Sequence, residues 1–159
     1  MITANSPATQ TNSLNGTRFG TIEFETEDVL TFHEGIIGFA EMRTFLILEH
    51  KPGSPFRWLQ SIEEPAMAFL LADPLAYVAD YDPNISRGII DSLELDQSTP
   101  YLLLTTASIP GGNAENMTLN LAAPILVNVN SRVGKQVVLD DGAYNIRHRV
   151  FSQPETQAA

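Results

Sequence analysis

The sequence predicts an all-β protein, a small single-domain antiparallel β-barrel-like fold with at most one or two short helices. Apolar residues occur in short segments, and clusters of Gly, Pro, Asn and Asp separate these segments from one another. Several segments alternate between two faces, as a half-buried strand requires. The length of 159 residues is usual for one domain with its own core. Many short strands with regular turns are typical of sandwiches and barrels.

The predicted elements follow the chain in order. The first strand is placed at 19–24, where alternate residues lie on opposite faces. Further short apolar segments predict strands at 29–32, 45–48, 56–59, 66–71, 101–107, 117–121, 125–129 and 136–139. Turns are predicted at 51–55, 109–113, 133–135 and 140–142, the last with the two-residue hairpin signal Asp141–Gly142. One helix is predicted at 86–93, with Ser86 as its N-cap.

Both ends of the chain are polar. Residues 1–16 carry no charge and consist mainly of Thr, Asn, Ser, Ala and Gly, so they bury too little apolar surface to offset the entropy of ordering. We therefore expect a disordered tail at 1–16, a barrel domain at 17–151 and a second disordered tail at 152–159. No signal peptide and no membrane-length apolar run is present, which predicts a cytoplasmic protein without a membrane partner.

The charge of the chain is negative and uneven. Nineteen acidic and nine basic residues give a net charge of -10. Residues 17–100 hold 15 acidic and 5 basic residues, whereas residues 101–151 hold 3 and 4. Such a chain repels phosphates, which argues against direct binding of nucleic acid and favours a basic protein partner. A solvated surface kept soluble by charge is the alternative explanation.

No pattern of catalysis or metal binding is recognisable. The chain has no cysteine, and its three histidines do not have the spacing of metal ligands on one strand or helix. Phosphate-binding and nucleophile-elbow motifs are absent from the sequence. Carboxylates such as Glu63, Glu64 and Asp73 are plentiful, but nothing selects a catalytic pair. We therefore predict a protein that is not an enzyme and has no cofactor.

Five ordered blocks resemble the bacterial flagellar assembly factor FliW. The resemblance extends from about Arg18 to Arg149. The blocks are Phe32-His-Glu-Gly-Ile-Ile-Gly-Phe39, Pro55-Phe-Arg-Trp-Leu-Gln-Ser61, Phe69-Leu-Leu-Ala-Asp-Pro74, 117–128 (Met-Thr-Leu-Asn-Leu-Ala-Ala-Pro-Ile and onward to Asn128) and Gly134-Lys-Gln136. The first block of the family usually reads Gly-Ile-Pro-Gly-Phe, and here Ile37 replaces the proline. Proline would fix φ and remove one amide donor, so Ile37 leaves the local shape of this turn open.

The resemblance implies a regulator that works by binding. The resemblance implies a small β-barrel without catalytic activity. Proteins of the FliW family bind CsrA, a dimeric RNA-binding repressor, and antagonise it. Flagellin is the competing partner, so the circuit couples flagellin translation to export. An acidic barrel suits a repressor that must present basic residues to RNA, and we expect carboxylates between Glu23 and Asp96 to face CsrA. A monomer is favoured, because the dimer in this circuit is CsrA.

The candidate contact residues come from turns, charges and amides in these blocks. The first-block turn, Gly35, Ile36, Ile37, Gly38 and Phe39, is chosen because apolar residues flanked by glycine at a turn can be exposed. The others are Asp73, Asp80, Tyr81, Asp82, Asn120, Asn128 and Gln136. For the three amides, hydrogen bonding to buried backbone is an equally good explanation.

Two other functional classes remain open from the sequence. A small-molecule-binding β-barrel without a regulatory role would have a large apolar pocket lined by a few convergent polar groups. A hydrolase based on carboxylates would have a cleft in which one carboxyl has a raised pKa. An exposed, shallow acidic surface would favour the interaction protein over both.

Overall fold

Seven strands close into a β-barrel in the computed structural model, which describes residues 11–151. The strands are β1 (Thr11–Thr17), β2 (Gly20–Glu25), β3 (Leu30–Phe32), β4 (Thr44–Glu49), β5 (Phe56–Ser61), β6 (Ala68–Ala72), β7 (Tyr101–Ser108), β8 (Thr118–Leu119), β9 (Ile125–Asn128), β10 (Val133–Gln136) and β11 (His148–Arg149), and the helix is α1 (Arg87–Ser92). Neighbours in the barrel follow the order β7-β6-β5-β4-β3-β10-β9, and β9 pairs with β7 to close the ring. The predicted fold class is confirmed, with one parallel pair, β3–β10, among antiparallel ones.

Side chains from the seven strands fill the barrel interior. The buried residues are Leu30, Phe32, Phe45, Leu59, Leu71, Leu104, Ile125 and Val127. The rings of Phe32 and Phe45 meet edge to face with centroids 5.4 Å apart. Burial of each large apolar side chain contributes roughly 1.5–3 kcal/mol, so these residues stabilise the barrel most.

Strand β10 corrects the turn predicted at 133–135. In the parallel register Gly134 lies opposite Phe32, and its other neighbour is Val127 of β9. A Cβ atom on Gly134 would lie 2.5 Å from Cζ of the Phe32 ring. The glycine is therefore needed for a close approach inside a strand and does not mark a turn.

The β1–β2 hairpin corrects part of the predicted N-terminal tail. Residues 11–16 pair with β2 in a separate two-stranded sheet, while residues 1–10 and 152–159 lie outside the described residues. The hairpin tip is Arg18–Phe19. The Phe19 ring meets the Trp58 ring with centroids 5.4 Å apart, and Cζ of Arg18 lies 4.5 Å from the Trp58 centroid. Packing on β5, which no local pattern in residues 11–16 indicates, orders this segment.

Two further apolar clusters lie on the outside of the barrel. In one, Ile89 of α1 packs with Leu93, Leu126 and Val137. The predicted cap is confirmed, because the Ser86 hydroxyl accepts a hydrogen bond from the Ile89 amide at 3.3 Å. In the other, the buried side chains are Ala72, Tyr81, Met117, Leu119 and Leu121. Between residues 11 and 151, no helix has the length and apolar character needed to cross a membrane.

The hairpin predicted at Asp141–Gly142 is wrong. These two residues form a bend in an irregular segment between β10 and β11. After β10 the chain still runs beside residues 122–124, and it then crosses to β8. Packing explains this path of the chain, because the Tyr144 ring contacts the ring of Tyr81, in the cluster that also contains Met117 and Leu121, with centroids 4.7 Å apart. The chain therefore continues over this cluster and does not fold back on β10.

Candidate partner-binding surface

The first-block turn is a tight reverse turn with an exposed tip. The Phe39 amide donates to the Ile36 carbonyl at 2.6 Å, and Gly38 has a φ of 86°. Positive φ at the third position defines a type II turn, whose second position, here Ile37, commonly holds proline. Ile37 is 54% exposed, whereas Gly35 and Ile36 are buried and Phe39 is half-buried. The replacement of proline therefore keeps the turn class, and Ile37 and Gly38 form its exposed surface.

Gln136 binds this turn to the barrel. Its Oε1 accepts the Ile37 amide at 2.9 Å, and its Nε2 donates to the Ala123 carbonyl at 3.1 Å. A proline at position 37 would lack the donor in the first of these bonds. Two parts of the predicted contact set, the first-block turn and Gln136, are thus in direct contact.

An ion pair holds the segment that leads into the turn. Nζ of Lys135 lies 2.7 Å from Oε1 of Glu34. The hydrogen bond from Lys135 and the charge of its ammonium group hold the pKa of Glu34 below its usual value. Glu34 is exposed, so we count this pair as a positioning contact with a small share in stability.

The predicted acidic residues differ in accessibility. Asp73 is half-buried, and its Oδ1 accepts the Leu75 amide at 3.0 Å, which caps the short 3-10 turn at Pro74–Ala76. Asp80 and Asp82 are exposed. Tyr81 between them is only 5% exposed, and its hydroxyl donates to the Leu121 carbonyl at 2.7 Å.

Tyr81 is consequently part of the outer core. Burial raises the pKa of its hydroxyl, which is therefore neutral at physiological pH. Only the two carboxylates that flank it are accessible to another molecule.

The amides Asn120 and Asn128 bond to backbone groups. Oδ1 of Asn120 accepts the Ala122 amide at 3.2 Å. Nδ2 of the buried Asn128 donates to the Leu93 carbonyl at 2.7 Å, and its Oδ1 accepts the amides of Asn130 and Ser131. Asn128 therefore ties the end of α1 to the turn that follows β9.

A groove beside α1 was not among the predicted sites. We call it the α1 groove; it has a volume of about 370 Å³, and its lining residues are Ile85, Arg87, Ile90, Leu95, Asp96, Gln97, Tyr101 and Leu126. Tyr101, the first residue of β7, is 56% exposed at this groove. No local signal joins residues 85–101 to Leu126, because the β7–β9 pairing that brings them together is long-range.

Asp96 supplies a fixed negative charge to the α1 groove. Its Oδ1 accepts the Thr99 hydroxyl at 2.8 Å and the Ser98 hydroxyl and amide at 2.9 Å. These hydrogen bonds, with that from Thr99 foremost, lower the pKa of the Asp96 carboxyl. The group is ionised at neutral pH and its position is set by its own turn.

A second groove is apolar and lies on the outer face of β5 and β6. We call it the Trp58 groove; it has a volume of about 320 Å³, and its lining residues are His50, Phe56, Trp58, Leu70, Tyr77, Ile109, Ala114, Met117 and Phe151. The rings of Tyr77 and Phe151 meet edge to face at its rim, with centroids 5.9 Å apart. No carboxylate lines this groove, unlike the α1 groove.

Comparison with known proteins gives one consistent result. A family model described as FliW protein matches residues 13–150. The flagellar assembly factor FliW of Desulfitobacterium hafniense (strain DSM 10664 / DCB-2) is 37% identical over 145 residues, which cover 91% of this chain and 93% of that protein. This chain belongs to the FliW family. The FliW protein of Magnetococcus marinus is 38% identical over 128 residues, which cover 80% of this chain and 79% of that protein.

The FliW fold is also seen in a solved structure. A crystal structure of the flagellar assembly factor FliW superimposes with a TM-score of 0.80 and 31% identity, and covers 89% of this chain and 98% of that one. The barrel and the elements around it are therefore those of the FliW family. Within residues 11–151, no group of three or more His, Asp and Glu side chains is placed to hold a metal ion.

Proposed function

We propose that this chain is a flagellar assembly factor that binds the RNA-binding repressor CsrA and antagonises it. Flagellin is the competing partner, so the chain couples flagellin translation to export. Membership in the FliW family over residues 13–150 is the observation that carries this proposal. The chain acts in the cytoplasm by binding and not by catalysis.

The charge of the folded domain supports a basic partner. Thirteen of the fifteen acidic residues between residues 17 and 100 are exposed, and two of these, Glu34 and Asp91, form ion pairs with Lys135 and Arg87. The other exposed carboxylates give the domain a negative field that acts at a distance. A repressor that binds RNA must present Lys and Arg side chains to phosphates. The acidic barrel therefore attracts the repressor during diffusion, and it repels the RNA backbone after docking.

The contact surface combines exposed members of the predicted set. Ile37 and Gly38 offer an apolar tip, and Asp80 and Asp82 offer charge. Asp73, Phe39, Asn120 and Gln136 are half-buried and contribute less surface. Gly35, Ile36, Tyr81 and Asn128 support the surface from within, because their side chains or Cα atoms are buried.

A small-molecule carrier is the weaker explanation. Phe32, Phe45 and Leu59 occupy the interior of the barrel, where such a ligand would bind. A barrel of this size has an interior just wide enough for its own side chains. The interaction protein therefore accounts better for the packing and the charge.

The test is a calorimetric titration of the full chain with purified CsrA, with and without its target RNA. We expect binding that lowers the apparent affinity of CsrA for the RNA. The affinity should fall as the ionic strength rises from about 0.05 to 0.5 M, because salt screens exposed charges. Absence of binding at low salt, with both proteins folded, would contradict the proposed function. An affinity that is insensitive to salt would contradict the electrostatic part of the proposal.

A further inference from the structure

The α1 groove combines an apolar floor with an exposed aromatic side chain. Ile85, Ile90, Leu95 and Leu126 line it, and Tyr101 is 56% exposed at its edge. A volume of about 370 Å³ lies at the lower end of the roughly 300–1,000 Å³ typical of ligand sites. Large aromatic side chains in such a position supply much of the binding energy of protein interfaces.

The charge around the α1 groove selects the partner. Residues 85–101, which supply seven of the eight lining residues, contain three acidic residues, Asp91, Glu94 and Asp96, and one basic residue, Arg87. Asp96 lines the groove itself. Nε of Arg87 lies 3.2 Å from Oδ1 of Asp91, so the single cation is already engaged with a carboxylate. A partner for this groove must be apolar on one side and basic on the other.

Hydrogen bonds and packing fix α1 beside the groove. The Ser86 hydroxyl caps α1, and the Asn128 amide donates to the Leu93 carbonyl at 2.7 Å. Leu93 and Leu126 are buried together in the apolar cluster beneath α1, which also contains Val137. A partner therefore binds without ordering the groove, which removes part of the entropic cost of association.

The Trp58 groove provides an informative contrast. It is similar in volume, but its lining contains no carboxylate and nothing in its charge indicates what would fill it. The α1 groove is therefore the one whose chemistry specifies an occupant.

We propose that the α1 groove is the docking site for a short basic amphipathic segment of the protein partner. Apolar side chains of the segment pack on Leu95 and Tyr101, and its Lys or Arg side chains lie near Asp91 and Asp96. The identity of the partner as CsrA rests on the proposed function. The groove extends the contact surface beyond the first-block turn and the Asp80–Asp82 segment.

The test compares groove variants with matched controls in titrations of the full chain with CsrA. Tyr101→Ala should weaken affinity by about tenfold or more, as expected for a central aromatic. Phe151→Ala is its control, because Phe151 is an exposed aromatic residue that lines the Trp58 groove and not the α1 groove, and we expect a change of less than about twofold. Melting curves verify that both variants are folded.

Charge is tested in the same way. Asp91→Asn combined with Asp96→Asn should weaken the affinity for CsrA and reduce the dependence of that affinity on salt, whereas the exposed Asp140→Asn should do neither. If wild-type protein binds CsrA and all groove variants bind equally well, the docking site is wrong while the proposed function stands. If the folded wild-type protein does not bind CsrA, the proposed function fails and the docking proposal fails with it.

Discussion

The barrel interior and the elements attached to its outside are stabilised in different ways. Interior residues such as Phe32 and Leu59 are completely buried, and their strands share backbone hydrogen bonds with neighbours on both sides. The β1–β2 hairpin forms its own two-stranded sheet and reaches the barrel through side chains, chiefly Arg18 and Phe19 on Trp58. The first-block turn is held in both ways, because Ile36 belongs to the interior cluster and the Ile37 amide at the exposed tip donates to Gln136 of β10.

This difference separates stability from recognition. Loss of an interior contact affects many neighbours at once, because the core is close-packed. Loss of an outer contact affects one element, which can open locally while the barrel remains folded. A substitution in an outer element, for example at the exposed Ile37, should therefore have little cost to the barrel.

Gly134→Ala should produce the largest loss of stability. The new Cβ would lie 2.5 Å from Cζ of the completely buried Phe32 ring, so the ring or the strand would have to shift. Overpacking of this kind costs about 1–3 kcal/mol of unfolding free energy, which denaturant titration measures. Gly88→Ala is the matched control. A Cβ on Gly88 meets no atom within 4 Å, and alanine in α1 should stabilise by about 0.5–1 kcal/mol. Equal effects of the two substitutions would contradict the close-approach explanation.

The same contrast explains how far the sequence predicts the structure. Strands such as β4 and β7 are predictable because burial imposes an apolar pattern on their residues. Strand β1 is not, since Leu14 is its one buried apolar residue and its order depends on packing against β5. Glycine spacing indicates the first-block turn, and that turn does have an exposed tip.

The α1 groove is beyond prediction from local patterns. Its walls come from α1, β7 and β9, and Tyr101 and Leu126 become neighbours only through the β7–β9 pairing. The burial of Tyr81 cannot be predicted from local patterns either, because its partners Leu121 and Tyr144 are distant in the sequence.

Removal of the contacts between the hairpin and Trp58 should have an intermediate effect. In the double variant Arg18→Ala and Phe19→Ala, Trp58 loses a cation–π contact and an edge-to-face ring contact. Together these contribute about 1–2 kcal/mol. We expect the emission of Trp58, the single tryptophan, to shift to longer wavelength, and hairpin amides to exchange hydrogen faster than barrel amides.

A matched pair elsewhere on the surface controls for the change in composition. Ile146 and Arg147 are also an exposed apolar residue and an exposed arginine next to each other. Ile146→Ala with Arg147→Ala should leave Trp58 emission and hairpin exchange unchanged. If the Arg18 and Phe19 variant also leaves Trp58 emission and hairpin exchange unchanged, contacts other than those with Trp58 hold the hairpin on the barrel.

Ile37→Pro should have the smallest effect, because two contributions oppose each other. Proline suits the second position of a type II turn and stabilises by about 0.4–1 kcal/mol through the unfolded state. It also removes the amide that donates to Oε1 of Gln136, a bond worth about 0.5–1.5 kcal/mol. The expected net change in unfolding free energy is therefore under about 1 kcal/mol in either direction.

A double-mutant cycle with Gln136→Ala separates these two contributions. With Gln136→Ala in place no hydrogen bond from position 37 remains to be lost, so Ile37→Pro should become stabilising by about 0.4–1 kcal/mol. Denaturant titration of the four proteins measures the difference. If proline has the same effect in both backgrounds, Gln136 does not hold the turn, and the turn must be fixed by the buried Ile36 and the half-buried Phe39 instead. Burial of side chains would then stabilise the first-block turn, as it stabilises the barrel interior, although the tip of the turn is exposed.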